Sequence, residues 1–197
     1  MPEIVDRVDT LQRRLEEQGL VSDQEIDDVI DLYSDKLTPQ HGSRIVAMAW
    51  TDPELKQRLL YDAGDVVRSL GYDLGGSHHP GLEEFDLRVV ENTPEVHNVI
   101  VCTLCSCYPL SLLGVQPRWY KSPSYRARVV VEPRAVLQEF GLSLPEDVRI
   151  DVWDSTAETR YMVLPMRPEG TEGWSIPRLM DCVTRDSLVG VTVPRAH

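Results

Sequence analysis

Ile4, Val8, Leu11 and Leu15 recur at three- and four-residue spacing with charged residues between them, so one apolar stripe runs along a helix over residues 3–18. Gly19 supplies its left-handed stop. A second helix opens at Ser22, with Glu25 in capping-box relation, and continues through Ile26, Val29, Ile30 and Tyr33. Arg44 to Trp50 forms a third segment, and Thr51 with Glu54 predicts a further capped helix ending near Leu70 and Gly71. From Phe85 the period shortens. Phe85, Leu87 and Val89 alternate with polar residues and predict a strand, and Asn98 to Val101 is a short apolar run. Glu132 to Phe140 reads as a helix closed by Gly141. Val148, Ile150 and Val152 predict one more strand and Thr159 to Leu164 another, and Ser175 caps a short helix that contains Cys182.

Helices followed by mixed strands and helices indicate an α+β fold. We expect an N-terminal helical arm over 1–71, a glycine-rich linker over 72–84 that carries His78 and His79, and an α/β domain over 85–197. The arm holds 15 acidic and 8 basic residues, and its early stripes are too thin for a core of their own. Taken alone, they are expected to pack on the following domain.

With 197 residues, 42% of them hydrophobic, the chain can bury one good core. Its net charge of −12 argues against nucleic acid or an anionic membrane as a partner, because neutralising phosphates needs a basic surface. The charged start and the absence of an 18-residue apolar run predict neither signal peptide nor membrane span, and so a cytoplasmic protein.

Three of the four cysteines, Cys102, Cys105 and Cys107, fall within six residues. Tetrahedral zinc needs four ligands, and the remaining Cys182 stands far along the chain. A Cys102 to Cys105 disulfide would leave Cys107 odd and suits an oxidising compartment. The Cys105-Ser106-Cys107 tripeptide offers another arrangement. Two thiolates flanking one residue chelate in a plane when the main-chain nitrogens of Ser106 and Cys107 also bind, with Cys102 capping the square and one position left free. Displacing amide protons calls for a strongly polarising ion, for which trivalent cobalt or iron suits better than zinc.

Cys102-Thr103-Leu104-Cys105-Ser106-Cys107 resembles the metal-binding motif of the nitrile hydratase alpha subunit. Thr103, where iron enzymes usually carry Ser, is similar to the cobalt type. The likeness extends through Val90 to Asn98, Trp119 to Pro123, Tyr125 to Val130 and Glu132 to Arg134, covering residues 3–192. The resemblance implies hydration of a nitrile to an amide at low-spin Co(III), with Fe(III) the second choice. It implies that Cys105 becomes a sulfinate and Cys107 a sulfenate while Cys102 stays a thiolate, along the usual oxidation ladder. It further implies a layered α-β-β-α core, a beta-type subunit whose arginines hold the oxidised sulfurs' oxygens and across which the helical arm reaches, and a cobalt-inserting activator protein.

Around this loop, Trp119 is a pocket candidate. Arg126 and Arg128, in the one basic stretch, could offset the charge of the sulfur and amide donors. Glu158 and Arg160 match a Glu-x-Arg feature of the family and should share one face of a strand. His97 reads as a hydrogen-bonding residue. Nitrile hydratases usually place Trp after Tyr-Pro, whereas this chain has Leu110. An apolar but smaller residue predicts a roomier pocket for bulky or heteroaromatic nitriles, as in the toyocamycin-hydrating branch of the family. The rivals are a thiocyanate hydrolase gamma-type subunit, whose pattern has Arg at that position, and a non-catalytic zinc or redox module.

Overall fold

The computed structural model describes residues 2–22, 24, 37–72, 74 and 85–196. The helix expected from Ser22 and most of the 72–84 linker, including His78 and His79, lie outside the described residues. Contacts divide the chain between Leu37 and Thr38. In the first unit, α1 (Pro2–Glu17) ends as its glycine predicts. Gly19 takes φ 65°, and the Gly19 and Leu20 amides donate back to the carbonyls of Glu16 and Leu15.

The second unit begins with α2 (Pro39–Thr51), α3 (Pro53–Tyr61) and α4 (Ala63–Ser69). Aspartates set these boundaries. Asp52 Oδ1 accepts from the amides of Glu54 and Leu55 at 2.9 and 3.0 Å, and Asp62 Oδ1 accepts from Asp65 at 2.9 Å. Thr51, expected to cap a helix, closes α2 instead, with its hydroxyl turned back to the carbonyls of Ala47 and Met48. The arm expected to reach residue 71 therefore stops short, because α2 to α4 pack into the second unit. Ile45, Val46 and Ala49 bury one face of α2. At Gly42 a Cβ would lie 2.7 Å from Leu188 Cδ1 and 2.8 Å from the Leu112 carbonyl, so glycine permits the close approach.

Strand β1 (Asp86–Glu91) is followed by β2 (Val96–Val101), α5 (Leu110–Leu113), α6 (Pro123–Arg128), α7 (Pro133–Glu139), β3 (Arg149–Asp154), β4 (Thr159–Leu164), α8 (Ile176–Met180) and α9 (Arg185–Val189). Both strand pairs are parallel. Asp86 to Glu91 run beside Thr159 to Leu164, and Val96 to Val101 beside Arg149 to Asp154. The expected apolar run before the cysteines is thus a strand, buried from His97 onward. It has no period-two alternation because both of its faces are covered. The mixture of helices and small parallel sheets is α+β. Cys182, placed inside a helix by the sequence, lies just beyond α8 and is buried. No helix among the described residues is long and apolar enough to cross a membrane.

Three buried polar residues beside the cysteine loop, Asn92, His97 and Asn98, are paired with one another and with their surroundings. His97 is 4% exposed, and its Nε2 lies 2.7 Å from the Gly190 carbonyl, an acceptor only, so Nε2 carries the proton. Nδ1 then accepts from Asn92 Nδ2 at 3.2 Å. Burial pushes the His97 pKa down, which keeps the ring neutral. Asn92 Oδ1 accepts from the Asn98 amide at 2.8 Å, and Asn98 Oδ1 accepts from Trp153 Nε1 at 2.8 Å. This network fixes β2 against β3 and α9 immediately before the cysteine loop.

Candidate metal centre

Strand β2 ends at Val101 and the next residue is Cys102, so the first sulfur is delivered by the most buried strand of the fold. Cys102 is buried, Cys107 half-buried and Cys105 exposed, and all are free thiols. Their sulfurs lie within 4.8 Å of one another, with Cys102 Sγ 3.4 Å and Cys107 Sγ 3.1 Å from Cys105 Sγ. Hydrogen bonds from the Cys107 and Cys102 thiols lower the Cys105 pKa to about 7. Burial, and then the bond to Cys105, raise that of Cys107 to about 12. Of these two thiols, the exposed Cys105 is therefore the more acidic.

These three cysteines form the only cluster of metal-ligating side chains among the described residues. Cys182 lies elsewhere, its Sγ directed at the Arg178 carbonyl at 3.7 Å. The donor set thus offers three soft sulfurs and no fourth side chain. That fits an ion which completes its shell with main-chain nitrogen, and it does not fit a structural zinc site, which is closed by four side chains.

A short loop holds three sulfurs together only if its backbone is fixed, and side chains from four directions fix it. Asp154, paired in register with Val101, takes the Thr103 amide at 2.9 Å and the Thr103 hydroxyl at 2.6 Å on its two oxygens. Arg126 Nη1, on α6, donates to the Cys105 carbonyl at 3.2 Å and the Thr103 carbonyl at 3.5 Å. Gln116 Nε2 donates to the Ser106 carbonyl at 2.9 Å and Tyr120 Oη to the Cys107 carbonyl at 3.0 Å. Arg160 Nη1 reaches the Tyr108 carbonyl at 3.1 Å, and its guanidinium carbon sits 4.2 Å from the centre of the Phe85 ring.

Arg126 and Arg160 therefore touch the loop. Arg128 turns away, forming a forked pair with Glu139 at 2.6 and 3.0 Å and a bond to Glu132 at 2.5 Å. Glu158 and Arg160 do not act as a same-face pair, because β4 starts at Thr159 and Glu158 belongs to the turn before it, accepting from Thr156 at 2.9 Å. Leu110 is half-buried as the first residue of α5. Trp119 stands edge-on to Tyr125 and Phe140, with ring centres 4.9 and 4.8 Å away. Asp154 and Gln116 carry no motif of their own, and Tyr120 lies in the stretch from Trp119 to Pro123 without any sign there that its hydroxyl serves the loop. Only the register of β2 with β3, and the return of the chain after Gly114 at φ 71°, bring them to the loop.

Residues 3–192 match the family model for nitrile hydratase, alpha chain. The low-molecular weight cobalt-containing nitrile hydratase subunit alpha of Rhodococcus rhodochrous is 50% identical over 192 residues, which cover 98% of this chain and 89% of that one. Thiocyanate hydrolase subunit gamma of Thiobacillus thioparus is 46% identical over 167 residues, 83% of this chain and 69% of that one. Among solved structures, a double mutant of the Fe-type nitrile hydratase from Comamonas testosteroni Ni1 is similar with a TM-score of 0.83 and 46% identity, covering 99% of this chain and 92% of that one.

Proposed function

The chain belongs to the nitrile hydratase alpha-chain family, and on that premise we propose that it is the metal-bearing subunit of an enzyme that adds water to a bulky or heteroaromatic nitrile. The observation that carries this is the convergence of three free sulfurs, one buried and one exposed, on a loop with no fourth side-chain ligand. Cys102, Cys105 and Cys107, with the main-chain nitrogens of Ser106 and Cys107, would hold the ion. Bound there, cobalt(III) supplies Lewis acidity and charge neutralisation. Thr103 favours cobalt over iron.

The remaining roles fall to the chain itself. Cys102 forms the floor of the site. Cys105 and Cys107 face outward, where sulfinate and sulfenate oxygens would meet substrate and the arginines of a beta-type subunit. An oxygen on Cys107 in its sulfenate form would either attack the nitrile carbon or take the proton of an attacking water. Arg126 offsets the negative charge of the donors from behind. Leu104, 86% exposed at the loop's tip, supports a partner subunit covering this face. A layered α-β-β-α arrangement, loading by an activator protein and a cytoplasmic setting complete the reading.

Leu110 sets the substrate class. Its apolar, modest side chain suits a neutral and bulky nitrile better than an anion such as thiocyanate. Leu110→Trp is expected to lower kcat/KM for heteroaromatic nitriles by about 10-fold or more while sparing acetonitrile, the scale of a pocket reshaped by a few methylenes. Equal losses on both substrates would count against this assignment. The proposed function itself is tested by metal analysis and mass spectrometry together with amide formation. We expect about one cobalt per chain, oxidised Cys105 and Cys107, and hydration of nitriles without sulfide release from thiocyanate. Zinc with three unmodified thiols would overturn it.

A further inference from the structure

Each main-chain nitrogen in the tripeptide belongs to a peptide group whose oxygen lies on the preceding residue. The oxygen partnered with the Ser106 nitrogen is the Cys105 carbonyl, and the oxygen partnered with the Cys107 nitrogen is the Ser106 carbonyl. Both oxygens are occupied by side-chain donors from outside the loop: Arg126 Nη1 at 3.2 Å on the first and Gln116 Nε2 at 2.9 Å on the second. Electron density in a peptide group is shared between nitrogen and oxygen, so a donor fixed on the oxygen stabilises negative charge anywhere in the group. It also fixes the plane in which the nitrogen's lone pair lies. Arg126 brings a full positive charge to one peptide group, and Gln116 a neutral dipole to the other.

Gln116 is well placed for this. Gly114, at φ 71°, turns the chain after α5, and the Tyr120 hydroxyl holds the next carbonyl of the loop, that of Cys107, at 3.0 Å. The Gln116 side chain is thereby brought over Ser106 from a segment that carries no cysteine.

We infer that Gln116 is a positioning residue of the metal centre, which orients the Ser106 to Cys107 peptide group and offsets its charge when that group's nitrogen is a donor. This rests on the proposed function above, since only main-chain coordination gives the Ser106 carbonyl such a role. The chemistry predicts a ranking by donor capacity and not by size. Gln116→Lys keeps a donor with added charge, Gln116→Met keeps the length without a donor, and Gln116→Glu presents a carboxylate to a carbonyl oxygen.

The test uses the full chain loaded with cobalt and follows release of cobalt to a chelator, alongside the sulfur-to-cobalt charge-transfer absorption and the melting temperature. Release should be about 10-fold faster for Gln116→Met and faster still for Gln116→Glu, with a displaced absorption band, and close to the parent rate for Gln116→Lys. The Met variant matches the parent in length and keeps the fold, so a loss there reports on the hydrogen bond. If Met and Glu variants release cobalt at the parent rate with an unshifted band, or if Lys is the worst of the three as packing alone would dictate, the role of Gln116 is overturned while the metal centre stands. A parent chain whose metal is tetrahedral overturns both.

Discussion

Cys107→Ala is expected to leave the fold intact while nitrile hydration and cobalt retention fall by more than about 100-fold, beyond what loss of an outer hydrogen-bonding partner costs a metal site. The geometry gives the reason for both halves of that result. Cys107 is half-buried at the edge of the core and alanine removes only its sulfur, whereas its carbonyl, held by Tyr120 at 3.0 Å, is unchanged by the substitution. The loop should therefore keep its path. What disappears is one of three sulfurs, and with it the 3.1 Å contact to Cys105 Sγ. Two sulfurs and main-chain nitrogen are a poor match for a soft-ligand site. The cobalt-to-protein ratio, amide production from a nitrile and the circular dichroism spectrum check the three parts separately. A variant that keeps cobalt and a tenth of its activity would place the chemistry elsewhere.

The second large effect concerns stability. Gly190 follows α9 at φ 90°, and a Cβ there would lie 2.0 Å from the Asn98 carbonyl oxygen, 3.0 Å from its carbon and 3.1 Å from Val99 Cα. All three atoms are backbone of β2, a strand buried from His97 onward, and cannot swing aside. The left-handed φ adds strain for any residue with a Cβ. Gly190→Ala should destabilise the chain by about 4 kcal/mol, at the diagnostic end of single substitutions. For a domain of this size that is a fall of roughly 8–16 °C in Tm. The damage should also reach the metal, because a shifted β2 displaces Cys102 and pulls the Gly190 carbonyl from His97 Nε2, now at 2.7 Å. A melting temperature within about 2 °C of the parent would show that α9 and β2 do not approach so closely.

Much of the metal loop was legible in the sequence because its chemistry is local. Cys102, Cys105 and Cys107 are neighbours in the chain, and their spacing alone indicated that the sulfurs could meet, as they do. The strands from Asp86 and Thr159 and the helix before Gly141 were legible for the same reason, since periodicity is a property of consecutive residues. What sequence hid was long-range. β2 is covered on both faces and shows no alternation, and a carboxylate at the end of β3 looks like any other until register places Asp154 beside Thr103. Arg126 and Arg128 illustrate the same point. Both lie in one basic stretch, yet their positions on α6 direct one to the loop and the other to Glu132 and Glu139. Helix boundaries went astray where Asp52 and Asp62 compete with Thr51 as caps, a choice that the capping hydrogen bonds decide.

Both strand pairs are parallel and join segments far apart in the chain, with Val101 beside Asp154 and Asp86 beside Thr159. Every side chain that clamps the cysteine loop, from Gln116 through Tyr120, Arg126 and Asp154 to Arg160, is made after the cysteines are. During synthesis the thiols consequently emerge from the ribosome without their scaffold, and non-local pairing of this kind forms late. The three thiols acquire their full set of clamps only once the chain has been made as far as Arg160.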